Sequence, residues 1–171
     1  MKKALLIVDM LNDFVEDWGS LKVEGAKEIV PFIKNLRMEF KKNNLPVIYL
    51  CDSHSKSDPE FELWPPHCIE GTKGAEIINE LKPDGNDYIL KKKTYSGFYN
   101  TNLDDKLKQL GVDTLYIAGV AMNICVHYTA ADARMRGYTV FIPLKGVKGL
   151  TVEDEAYMKK QFKDVLKINL L

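Results

Sequence analysis

The sequence predicts an α/β fold: three layers, with a mostly parallel, doubly wound sheet of about six strands between two sets of helices. Short apolar runs rich in branched residues alternate with longer amphipathic segments along the whole chain. Several of these runs are apolar on both faces, as strands covered from both sides must be. Glycines close two of the amphipathic segments, Gly111 and Gly137, where a helix end needs a residue tolerant of the left-handed conformation.

The elements follow in order. The run ALLIVDM (residues 4–10) reads as the first buried strand. From about Gly25 to Asn43, Ile29, Phe32, Ile33, Leu36 and Phe40 recur at helical spacing. LPVIYLCD (45–52) is a second strand, GAEIINELK (74–82) a short helix ended near Pro83, and DYILKKK (87–93) a strand. NLDDKLKQLG (102–111) is a helix, DTLYIAGV (113–120) a strand, and residues 122–136 a helix. YTVFIPL (138–144) is a strand, TVEDEAYMKKQFK (151–163) a helix with Thr151 as cap, and VLKINLL (165–171) a last strand. With no repeat and no linker, residues 1–171 read as one domain. Residues 51–73 are the exception to the alternation: long, with three prolines and no period, a kind of loop that is more often functional than idle.

The 24 basic and 24 acidic residues balance, so nothing electrostatic points to nucleic acid or to an anionic membrane. Asp9 interrupts the first apolar run too early for a signal peptide, and no stretch approaches the ~18 apolar residues of a membrane span. Three widely spaced cysteines, Cys51, Cys68 and Cys125, fit a reducing compartment better than a disulfide framework. The expectation is a soluble cytoplasmic protein.

Parallel sheets bind ligands at the carboxyl ends of their strands. There the sequence places Asp9, Asp52, His54, Lys92 and Cys125. Cys125 falls near a helix start, where unpaired N–H groups and the helix dipole favour a thiolate and can hold an oxyanion. On this segment alone a buried structural thiol is the simpler reading. Asp9 is either a turn aspartate or an acid/base group beside the thiol. Lys92, in a run of three lysines, is ambiguous by itself. Asp52 and His54, two apart, point the same way off a strand end, and His67 follows in LWPPHC. Two histidines and one carboxylate suit a zinc or iron with positions left open, although two surface histidines explain the spacing equally well. Trp64, before two prolines, and Phe14 are either core covers or the walls of a pocket for a planar ligand. GTKG and GVKG lack phosphate-loop spacing.

In chain order these pieces resemble the isochorismatase-like cysteine hydrolases, and within them the nicotinamidases. LLIVDMLNDF, CDSHS with LWPPHCIEGTKGAE, KKKTYSGFYNTNLD and GVAMNICVHYTAADARMRGY carry the resemblance, which spans most of the chain. It implies an isochorismatase-like hydrolase fold and a cysteine amidohydrolase acting on a small planar carboxamide, nicotinamide first, through a thioester. It implies Asp9, Lys92 and Cys125 as catalytic residues, and the amides of Ala121 and Cys125 as an oxyanion hole. A cis peptide is implied before Ala121. Phe14, Trp64, Val120 and Ala121 would bind substrate. Asp52, His54 and His67 would hold a divalent metal: zinc, or alternatively iron or manganese. A homo-oligomer is implied as well. Three positions depart from the nicotinamidase pattern: Leu11 replaces a glutamine, a further metal-loop histidine is replaced by Asp58 or by nothing, and Lys145 replaces an acid. They leave open another carboxamide, a carbamoyl compound or a ureide as substrate. The chain is short for the family, so reduced lids are expected. A non-catalytic metal- or ligand-binding subunit is the alternative outside enzymes. A thiol redox protein is disfavoured because no second cysteine lies close in sequence. True isochorismatases lack the cysteine, so Cys125 argues against vinyl-ether hydrolysis.

Overall fold

The computed structural model describes residues 2–171. It contains seven strands: β1 (Lys3–Val8), β2 (Val47–Asp52), β3 (Tyr88–Lys92), β4 (Thr114–Val120), β5 (Thr139–Ile142), β6 (Val147–Lys148) and β7 (Asn169–Leu170). They form one sheet in the order β3-β2-β1-β4-β5-β7, with β6 paired to the end of β4. All pairings are parallel. The sheet class is as the alternation predicts; the seventh strand is the two-residue β6, too short to leave a pattern.

The helices are α1 (Asn12–Val15), α2 (Ala26–Lys42), α3 (Leu103–Gln109), α4 (Cys125–Met135) and α5 (Val152–Lys160). The period-2 geometry of β1 divides its side chains between two cores. Leu6 and Val8 join Leu107 of α3, Val126 and Ala130 of α4 and Phe162 just after α5. Leu5 and Ile7 join Ile29, Ile33 and Phe40 of α2. That burial on both faces is why the strands read as continuous apolar runs. Among the described residues no helix is long and apolar enough to cross a membrane.

Segment 74–82 is a correction. It holds two 3-10 turns, Lys73–Ala75 and Asn79–Leu81, and no α-helix. Between them Ile77 makes an antiparallel bridge with Leu11. The Asn12 amide donates to Glu76 O (2.9 Å) and the Ile78 amide to Met10 O (3.1 Å). Pairing with the β1–α1 connection thus buries Ile78 and Leu81, which mimic a helical stripe in sequence. The helix expected from Met122 starts instead at Cys125, because Ile124 is held outside the helical region, at φ −124° and ψ −98°. The last strand is confined to β7, since a π turn (Gln161–Val165) extends α5. Thr151 caps α5 by accepting the Asp154 amide.

Register sets the site. Val8 lies opposite Leu50 and Gly119, and Asp52 opposite Lys92, so the ends of four neighbouring strands share one edge. Gly119 makes that edge possible. Its φ is +122°, and a Cβ there would stand 2.0 Å from the Val8 carbonyl oxygen. Gly119→Ala is expected to cost about 3 kcal/mol through forced backbone strain and separation of β1 from β4. A urea unfolding midpoint that does not move would contradict this.

Candidate active site

Asp9 leaves β1 with φ of 50°, a left-handed turn uncommon for a residue with a side chain. Its amide donates to Leu50 O (2.9 Å), and its Oδ1 accepts the Asp52 amide (2.9 Å). Lys92 ends β3. Strand alternation sends Lys91 to the surface, where it pairs with Glu70, leaves Lys93 exposed and buries Lys92. The side chain of Lys92 is 1% exposed, and its Nζ lies 2.7 Å from Asp9 Oδ2, 2.5 Å from Asp52 Oδ1 and 3.5 Å from Cys125 Sγ. Cys125 opens α4, which no side chain caps, so the dipole-positive helix start faces the thiol. One atom each of Asp9, Asp52 and Cys125 lie within 4.8 Å of one another.

Burial and the Asp52 charge push the Asp9 carboxyl up to about 6, against the pull of Lys92. Burial, assisted by Asp9 and Asp52, likewise pushes the Cys125 thiol well above its ordinary range although Lys92 opposes it. Burial alone would discharge Lys92, but Asp52 and Asp9 hold it firmly protonated. Asp52 is kept below the ordinary carboxylate range: burial opposes its charge, and Lys92 and His54 outweigh burial. The resting set is therefore a neutral thiol beside a high-pKa carboxylate, across a fixed ammonium. A proton can move from sulfur to Asp9 while Lys92 steadies the charge that develops.

The second oxygen of Asp52 faces the other way. Its Oδ2 is 3.7 Å from His54 Nε2 and 3.8 Å from His67 Nε2. Asp52, His54 and His67 each offer an atom within 4.8 Å of the others, and all three are buried. Both ring nitrogens of His54 lack a hydrogen-bond partner. A buried imidazole with neither nitrogen hydrogen-bonded, beside a carboxylate, is free to act as a metal ligand, and the donor set suits a borderline divalent cation. Charge agrees: two buried carboxylates and one ammonium leave a deficit that a cation next to Asp52 would fill. Glu60 Oε1 lies 3.9 Å from His67 Nε2, and burial and Asp52 raise its pKa. Sequence reasoning missed Glu60, which shares no spacing with the other three.

Between these halves lies a small cavity of about 60 Å³, lined by Asp9, Asp52 and Cys125 at its base. On that measure a single water needs roughly 10–15 Å³, so the space suits one small ring. Phe14, Trp64, Val120 and Ala121 all line it, and the Val120–Ala121 peptide is cis. Tyr95, Ile124 and Leu150, also missed, line it too, as do Leu21 and Lys22. Tyr95 takes the indole N–H of Trp64 on its hydroxyl at 3.0 Å, a contact between distant segments without a local signal. Asp13 fixes the opposite side. Its Oδ2 accepts the Cys68 amide at 2.7 Å, which holds His67 beside Phe14 at a ring separation of 5.4 Å. Two of the departures lie off this wall. Leu11 is buried in its bridge to Ile77, and Lys145 borders a groove beside α2.

The Isochorismatase domain family matches residues 3–168. The chain belongs to the isochorismatase family. Among solved members, the nicotinamidase PncA of Bacillus subtilis is 34% identical with a TM-score of 0.94, covering 99% of both chains. N-carbamoylsarcosine amidase of Thermoplasma acidophilum is 38% identical (TM-score 0.92), over 99% of this chain and 95% of that one. A pyrazinamidase of Pyrococcus horikoshii in complex with zinc is 31% identical (TM-score 0.94), over 100% and 99%. These three solved chains thus share this fold over nearly their whole length.

Removing the ammonium isolates its contribution. Lys92→Met leaves two buried carboxylates without a cation and is expected to destabilise the fold by about 3–5 kcal/mol. Urea unfolding at neutral pH, compared with wild type, measures it; a loss below about 1 kcal/mol would mean the carboxylates find other partners.

Proposed function

We propose that this protein is an amidohydrolase that converts nicotinamide to nicotinate and ammonia through a thioester on Cys125. The observation that carries the proposal is the Lys92 ammonium held at once by Asp9 and Asp52 and 3.5 Å from the Cys125 sulfur. A binding protein has no use for that arrangement. The likeness to solved nicotinamidases supports it.

In this reading Asp9 takes the thiol proton, and sulfur attacks the amide carbon. The amides of Ala121 and Cys125, at the cis turn and the start of α4, receive the oxyanion. As the tetrahedral species collapses, Asp9 returns the proton to the leaving nitrogen and ammonia departs. Asp9 then takes a proton from the water that attacks the thioester, and expulsion of the Cys125 sulfur releases the acid. Phe14 and Trp64 hold the ring between them, with Val120 and Ala121 at its edge. A divalent metal, zinc in our assignment, would be held by Asp52, His54 and His67 with Glu60 alongside, and would supply a Lewis-acidic anchor for a ring nitrogen. Three free cysteines fit the reducing cytoplasm we assign as its setting, where we expect a homo-oligomer.

A carbamoyl compound is the second reading, favoured by the 38% identity to the carbamoylsarcosine enzyme. Both share the thiol chemistry and differ in what the walls hold.

Ammonia release from nicotinamide by zinc-loaded protein is the test. Wild type should turn over, and Cys125→Ala should lose at least roughly 10³-fold in kcat. Turnover of carbamoylsarcosine but not nicotinamide would select the second reading; equal rates in wild type and the alanine variant would exclude Cys125 as nucleophile. Trp64→Ala should raise KM for nicotinamide about 10-fold with kcat little changed, as loss of a ring wall requires.

A further inference from the structure

Neither the thiol chemistry nor the ring walls give Asp58 a role. Its position is specific. Oδ2 lies 3.2 Å from His54 Nδ1, at ion-pair distance but off hydrogen-bond alignment, and Oδ1 accepts the Glu60 amide at 3.0 Å. His54 is fully buried, with its other nitrogen, Nε2, facing Asp52. The imidazole is therefore set between two carboxylates, one at each nitrogen. Asp52 lies on the side where the candidate metal donors converge, and Asp58 on the far side. The second contact of Asp58 starts the 3-10 turn Pro59–Glu62, which carries Glu60 towards His67. The same turn carries Phe61, whose ring packs 5.5 Å from that of His54 and 5.7 Å from that of His67.

We propose that Asp58 is a positioning residue for the metal centre. With the ion bound it accepts the Nδ1–H of His54, so that Nε2 presents its lone pair to the ion. By capping the Glu60 amide it also fixes the turn that seats Phe61 against both histidines. Metal-bound histidines are commonly oriented by a carboxylate at the other ring nitrogen, and losing that partner typically weakens metal binding 10–100-fold. The inference rests on the metal-binding part of the proposed function and is independent of which amide is hydrolysed.

The test is metal affinity, read without turnover. Protein stripped by a chelator is titrated with Zn²⁺ in competition with a chromophoric chelator, and with Co²⁺ for its visible spectrum. Asp58→Ala should bind Zn²⁺ about 10–100-fold more weakly, with a Co²⁺ spectrum of unchanged coordination number. Asp58→Asn keeps one acceptor oxygen of two and should fall between; it reports the same contact should the alanine variant fail to fold. His54→Ala should change the Co²⁺ spectrum. Wild-type affinity in Asp58→Ala overturns the proposal. So does a Co²⁺ spectrum altered as in His54→Ala, which would make Asp58 a ligand. A wild-type protein that binds neither ion overturns the metal reading with it, while ammonia release from nicotinamide judges the amidase reading separately.

Discussion

An ammonium buried between two carboxylates is the interaction on which the rest of this site depends. Water is nearly absent around Lys92, and three charges stay ionisable there only because each compensates another. The sheet supplies the geometry. β3, β2 and β1 lie side by side, and β4 runs on into α4, so Lys92, Asp52, Asp9 and Cys125 come from four consecutive places in the strand order. No long loop has to order to assemble them. The same burial that makes the set costly lifts Asp9 to about 6 and favours the neutral thiol of Cys125, so the carboxylate and the thiol are closer in proton affinity to each other than to Lys92.

Asp52 joins two kinds of chemistry through one carboxylate. Oδ1 faces the ammonium and Oδ2 faces the histidines. Charge at the histidine cluster is therefore felt at Asp9 through a single side chain. The walls are built differently. Trp64, Glu60 and His67 ride on the long connection from β2 to β3, which is latched by Tyr95 on one side and by Asp13 on the other. Stacking walls need that support, since aromatic contacts are worth little when the rings are free to turn away.

Much of the fold is legible in the sequence, because strands buried on both faces cannot avoid being apolar throughout. The misread segment is instructive. Ile77, Ile78 and Leu81 keep helical spacing, yet pairing with Leu11 decides their conformation, and that partner is more than sixty residues away. The site was legible to differing degrees. Lys92 could not be chosen from its two neighbours by charge, and resemblance singled it out before the pleat of β3 supplied a physical reason. His54 and His67 stood out because the chain has only three histidines. Glu60 and Tyr95 gave no signal: one is a glutamate in an acidic turn, the other a tyrosine among eight, and tertiary packing alone brings them to the cavity.

The division between strand ends and connection has an evolutionary consequence. Asp9, Lys92 and Cys125 sit at the tips of β1 and β3 and at the start of α4, whereas Glu60, Trp64 and His67 lie on one excursion between β2 and β3. In the proposed reading, a chain with that excursion exchanged or trimmed would present different walls to a substrate and keep the same nucleophile. Asp52 is the hinge of such an exchange, because it belongs to both parts. In the same reading a chain that gave up its metal would still need Asp52, whose other oxygen neutralises the buried lysine.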